Sequence, residues 1–308
     1  MNDSFKNDVI QALRYFAFFS YAPTGEEIYL FLKRKTTPTQ LLMHLTEMEK
    51  NKRIYRVRMV HPGKKDEKKG IYQRKSPVRY TLGEYSISNA RMAKKLRISQ
   101  AKRRKIQHYI AILRHIPQIK LVGLSGSVAM LNAREKDDVD IFIITAHNRL
   151  WTGRFIAIVL AKVLRLHRGY GNRNTQDKVC LNLFFDEGDL TVPLEKQTEY
   201  GAHEVLQMKP VIENGDIYQR FLEANKWVFK VFPNSKLKVK SQKSKVQVKS
   251  KNFLWYVTRY ALHVTNNIVE SFLKSLQLQR IQRHRTTELI TSTQLWFHPQ
   301  DFQKKIRK

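Results

Sequence analysis

Cysteine is almost missing from this chain: Cys180 is the only one in 308 residues. One thiol excludes an intrachain disulfide and any zinc cluster built from cysteines. It sits in an apolar run and reads as a small buried hydrophobe. Long apolar runs are also missing, and none approaches the roughly 18–20 residues a membrane-spanning helix needs. The nearest, Phe253–Leu276, is broken by Arg259, His263, Asn266, Asn267, Glu270 and Lys274. The first residues, MNDSFKNDVIQ, lack the charged-then-apolar layout of a secretory signal. A soluble, cytoplasmic protein is the expectation. The ten histidines form no H-x-x-x-H pair beside an acid, so a zinc hydrolase has little support. No Walker loop, dinucleotide glycine motif or G-x-S-x-G elbow is present. Acid is scarce too: 26 Asp+Glu stand against 57 Lys+Arg, a net charge of +31. A field of that size attracts polyanions. Nucleic acid is the first partner it suggests, and an anionic membrane surface the second.

What is present divides the chain. Residues 4–19 carry apolar positions at helical spacing. Thr24-Gly25-Glu26-Glu27 reads as a capping box opening a second helix through Leu32. Thr37-Pro38-Thr39-Gln40 opens a third, with proline at its first position and Leu41, Leu42, Leu45 and Met48 as its stripe. Ile54–Val60 reads as a strand, and Ile71-Tyr72 with Val78–Leu82 as a second. Three helices followed by a hairpin over residues 1–85 resemble a winged helix. In DNA-binding members the third helix enters the major groove and the wing touches backbone. Here the third helix, with Gln40, His44, Glu47, Glu49 and Lys50, is not strongly basic. The wing lysines Lys64, Lys65, Lys68 and Lys69 are the nucleic-acid candidates, since each can neutralise a phosphate.

Residues 86–118 read as a basic helical connector, and 119–234 as an α/β core. The stretch 235–252 is a lysine-rich linker, with seven lysines and no acid over 235–251. Residues 253–308 read as a helical C-terminal region with a second basic cluster at Arg280, Arg283, His284 and Arg285. Within the core, Leu150–Leu166 reads as a helix whose Arg154 is placed either on a solvated face or against a phosphate.

Chemistry concentrates at residues 119–186. Ile119–Leu124 is an apolar strand that ends in the small-residue turn Ser125-Gly126-Ser127. Val128–Asn132 suits the first turns of a helix, so backbone N–H groups converge there as a seat for phosphate. Asp138-Val139-Asp140 opens the apolar run Ile141–Ile144. Strand alternation puts residues 138 and 140 on one face. Two carboxylates side by side repel unless a cation lies between them. Magnesium, which is commonly shared by carboxylates and substrate phosphates, suits such a site.

Ser125-Gly126-Ser127, ten residues Val128–Asp137, then Asp138-Val139-Asp140-Ile141 resemble the nucleotidyltransferase signature of the polymerase-β superfamily. That signature is an apolar residue, Gly and Gly or Ser, a short spacer, then Asp-apolar-acid-apolar. The resemblance implies an α/β (α+β) core with a mixed sheet, a two-ion Mg2+ site on Asp138 and Asp140, and a nucleoside triphosphate held by Ser125, Gly126 and Ser127. It implies transfer of a nucleoside monophosphate to an acceptor. A third acid is expected on the strand Val179–Phe185, where Asn182 stands; Asp186 is the next acid along. The alternative is a catalytically weak or inactive protein of this fold that binds DNA or RNA as a regulator.

Overall fold

The computed structural model describes residues 3–58, 77–85, 87–169, 175–236, 267–283 and 288–297. The wing lysines Lys64, Lys65, Lys68 and Lys69, and Ile71-Tyr72, lie outside these residues. The chain forms two units. One comprises Met1–Arg97 with the segment beginning at Trp227; the other comprises Ile98–Lys226 with the C-terminal segment. The boundary falls within the 86–118 connector, between Arg97 and Ile98, and the first unit takes back the chain from Trp227.

In the first unit, α1 (Asp3–Phe18), α2 (Gly25–Leu30) and α3 (Pro38–Lys50) precede the antiparallel pair β1 (Ile54–Arg58) and β2 (Val78–Leu82). Both expected capping boxes form: the Thr24 and Thr37 hydroxyls accept from the N–H of Glu27 and Gln40, whose side chains reach back. Each satisfies two N–H groups that the first helical turn leaves without partners. Leu13, Ile28, Leu32, Leu45, Met48, Ile54 and Tyr80 form the core. The returning segment adds α10 (Val228–Val231), with Phe232 edge-on to Phe31.

Helix α4 (Asn89–Lys105) carries the chain into the second unit and breaks at Ile106 before α5 (Gln107–Leu113). Ile106, Tyr109 and Leu113 all enter one core; a helical connector over 86–118 was expected, and it forms as two helices. The second unit is a six-stranded mixed sheet in the order β6-β3-β4-β5-β8-β7. Its strands are β3 (Ile119–Leu124), β4 (Val139–Thr145), β5 (Val179–Asp186), β6 (Lys209–Glu213), β7 (Leu289–Ile290) and β8 (Gln294–Trp296). Among these strands β4 and β5 run parallel, joined through α7 (Leu150–Val163); the other pairs are antiparallel.

Alternation along β4 divides its faces. Val139, Ile141 and Ile143 enter the core with Trp151 and Ala157 of α7 and Leu273 of α11 (Asn267–Gln282). On the opposite face Phe142 meets Phe185 and Phe221, the latter from α9 (Ile217–Ala224). The region expected to be wholly helical thus supplies α11 and also two strands. Leu289-Ile290 and Gln294-Leu295-Trp296 are too short to show a period of two; β8 forms on the open edge of β5, and β7 on the edge of β8.

Candidate functional site

Asp138 and Asp140 project from the start of β4 on the Phe142 face, as the alternation requires. Gly126 meets them. It adopts φ +58°, and a Cβ there would stand 2.5 Å from Asp140 Oδ2. Glycine is therefore needed twice at 126, for the backbone conformation and for the approach of the carboxylate. The Ser125 N–H donates to the Asp140 carbonyl at 3.1 Å, fastening the turn to the acid strand. The helix beginning there, α6 (Gly126–Ala129), is one turn long, shorter than the stretch expected from Val128 to Asn132. Leu131, at φ +58°, stands just beyond its end.

Strand β5 contributes a β-bulge. Ile141 pairs with Leu181 but Phe142 pairs with Leu183, which leaves Asn182 as the extra residue. Its amide donates to Asp140 Oδ1 at 2.8 Å. Its own carbonyl oxygen is buried without a hydrogen-bond partner. Cys180 is directly in register with Asp140. Its sulfur and one oxygen each of Asp138 and Asp140 lie within 4.8 Å of one another. The thiol read as a buried hydrophobe thus lies half-buried against the acids. Burial first, then the neighbouring Asp140 and Asp138, pushes its pKa up.

Two further groups complete the surroundings. The Arg168 guanidinium donates to Asp138 and lies 3.4 Å from the Cys180 sulfur. Glu204, on α8 (Glu199–Gln207), is close enough to act on Asp140. Desolvation raises its own pKa to about 7. Asp140 is raised to about 8, by burial first and then by Asp138 and Glu204, while Arg168 and the Asn182 amide pull the other way. These are the conditions under which a site gains from a cation. Neither Arg168 nor Glu204 bears any local sign in sequence, since each reaches the acids only through the tertiary fold.

The basic connector has an internal role here. Lys102 is 1 % exposed, and its ammonium donates to the carbonyls of Glu135 and Asp137 at 2.9 and 2.6 Å and to Asp177 at 2.8 Å. Arg103 donates to the carbonyls of Val128 and Ala129 at the end of α6. The Ser99 hydroxyl accepts from the N–H of Ala133 at 3.0 Å. Residues 99–103 thereby hold both ends of the loop between Gly126 and Asp138.

Asp186 does not join the site. It pairs with Thr145, whereas Asp140 pairs with Cys180, so five residues of strand, about 16 Å, intervene. It accepts from the N–H groups of Asn148 and Gly188 at 2.6 and 2.8 Å and faces His147. Its work is to hold the turn after β4. Arg154 is neither solvated nor free for phosphate: it donates to Gln277 at 2.6 Å and lies over the rings of Phe297 and Phe184. Burial lowers its pKa to about 10, which still leaves it charged at neutral pH.

The acidic face can therefore accept a divalent cation through Asp138 and Asp140, with the Cys180 sulfur as a further donor. Comparison with protein-family models, with curated proteins and with solved structures finds no match for this chain.

Proposed function

We propose that the second unit is a nucleotidyltransferase of the polymerase-β type, which moves a nucleoside monophosphate from a nucleoside triphosphate to an acceptor. The supporting observation is the meeting of Gly126 with Asp140, beside Asp138 and the unpartnered Asn182 oxygen. A buried oxygen left unpaired on the residue that bonds Asp140 is the kind of group a bound ion or its water would satisfy. Asp138 and Asp140 would hold magnesium, which when bound offsets charge on the triphosphate and lowers the acceptor's pKa. Ser125, Gly126 and Ser127 would bind the phosphates. In the reaction the acceptor oxygen bonds to the α-phosphorus as the bond to the bridging oxygen breaks, and pyrophosphate leaves. The acceptor's proton must go elsewhere, and Asn182 cannot take it. Glu204 is our candidate base, since a pKa raised to about 7 suits proton transfer near neutral pH. Within the same reading, the three helices and the β1–β2 pair of the first unit form a winged helix.

Each labelled nucleoside triphosphate, incubated with magnesium and total cellular RNA, DNA or protein, tests the activity. Asn182→Asp sharpens the test. It replaces the donor to Asp140 with a third carboxylate, so the metal-free variant should melt below the wild type at neutral pH. Its gain from magnesium should be the larger, and label transfer should rise with it, because a third carboxylate strengthens the hold on the metal. A variant that melts like the wild type with and without magnesium would remove the metal from this reading.

The second reading is a non-catalytic regulator that binds DNA or RNA. Asn182 at the third position and the Arg168–Asp138 pair favour it. It predicts nucleic-acid binding that weakens steeply with salt, and a shallower slope when Lys64, Lys65, Lys68 and Lys69 become Gln. An unchanged slope, measured by fluorescence anisotropy, would take the wing out of nucleic-acid binding.

A further inference from the structure

Helices α7 and α11 pack together, with Glu270 and Gln277 of α11 and Arg154 of α7 turned inward. The Glu270 carboxylate receives the N–H groups of Trp151 and Thr152 at 2.7 and 2.9 Å, serving the start of α7. The Gln277 amide donates to the Trp151 carbonyl at 2.8 Å and accepts from Arg154 at 2.6 Å. The outward side carries apolar stripes, which on α11 run beside the exposed Asn267, Ser271, Ser275, Gln279 and Arg280. On α7 it carries Phe155, Val159 and Val163, and on α11 Ile268, Phe272 and Leu276. Each set recurs every four residues, so each forms a stripe along its helix. Val163, Ile268 and Phe272 are 72 %, 71 % and 60 % exposed. A monomer in water gains nothing from such an arrangement, and clustered exposed apolar groups mark interaction surfaces.

The charges around the stripes select the partner. Helix α7 contains no acid, and the one acid of α11, Glu270, is spent on α7. Lys162, Lys274 and Arg280 lie on the same two helices, and the stretch 235–251, before α11 in sequence, has seven lysines and no acid. A polyanion such as nucleic acid would meet the cations but leave the apolar side chains in water. A second copy would bury them but set like charges against each other. An apolar groove on another protein would have to accept two ridges of protruding side chains. A bilayer surface with anionic headgroups takes both features at once: the acyl boundary receives the apolar stripes while lysine and arginine reach the phosphates. We propose that the α7–α11 face docks the protein on an anionic lipid surface without crossing it.

Flotation of the full chain with vesicles tests this. Vesicles of phosphatidylcholine with phosphatidylglycerol should carry the protein upward, and vesicles of phosphatidylcholine alone should not. Phe155→Ser and Phe272→Ser lie on exposed faces and should keep the wild-type helicity. Each should lower the partition coefficient on anionic vesicles by roughly tenfold or more, the effect of keeping one large apolar side chain in water. Vesicle binding that the two variants leave unchanged would be charge attraction alone and would overturn the proposal. So would no binding at all. Light scattering that shows a dimer dissociated by the same variants would also overturn it and assign the face to a second copy.

Discussion

Asp140→Asn is expected to make the metal-free protein more stable at pH 8 and to abolish its response to magnesium and nucleoside triphosphate. The sign follows from the carboxyl's position. Its folded-state pKa is raised from 3.8 to about 8, so between those values the folded chain holds a proton that the unfolded chain releases. Stability from this group is complete below the unfolded pKa and is lost as pH rises through the folded one. Each tenfold change in proton affinity between the two states corresponds to at most about 1.4 kcal/mol. Asp140 is half-buried, so water screens part of the effect, and a gain of about 1–3 kcal/mol at pH 8 is the expectation. The gain should shrink towards zero near pH 4. Asparagine keeps an oxygen for the Asn182 amide, so the substitution removes charge and little else. Magnesium with a triphosphate should raise the melting temperature of the wild type and leave that of Asp138→Asn/Asp140→Asn unmoved, with label transfer lost in the double variant. Melting curves at pH 5 and pH 8 decide the matter. Equal destabilisation at both would mean that Asp140 is a structural acid.

The second large effect lies away from the acids. Lys102→Met should destabilise the second unit by about 3–5 kcal/mol, the usual result of removing one member of a buried ionic cluster. Methionine fills much of the same volume, so the loss is that of the ammonium. The carbonyls of Glu135 and Asp137 would be left without it, and Asp177 would lose its buried partner. Burial pushes the Asp177 carboxyl up, but hydrogen bonds from Lys102 and Lys105 win and hold it below its ordinary value. Lys105 makes the companion variant. It bonds the same carboxylate but is 57 % exposed, and Lys105→Met should cost less than about 1 kcal/mol. Urea denaturation of the two variants separates the roles. Similar midpoints would show that Lys102 is a surface charge in solution. Because Lys102 holds the loop leading to Asp138, its loss should also reduce the stabilisation by magnesium.

The reach of the sequence can be judged residue by residue. The capping boxes at Thr24 and Thr37 were legible because a cap is a contact between residues three apart. The sharing of one face by Asp138 and Asp140 was legible because alternation in a strand is local. Charge and the lack of long apolar runs were legible by counting, and no helix among the described residues is long and apolar enough to cross a membrane. What the sequence could not specify was which distant groups meet those acids. The bulge at Asn182 turns its amide onto Asp140 and shifts every later residue of β5, so Phe184 enters the core. A one-residue shift in register leaves no mark in composition or periodicity. The basic stretch of α4 read only as a helical connector, but Lys102 and Arg103 bind backbone carbonyls of the second unit. A lysine facing water and one facing three buried oxygens read the same in sequence. Their difference is set by which loops the folded sheet brings within reach.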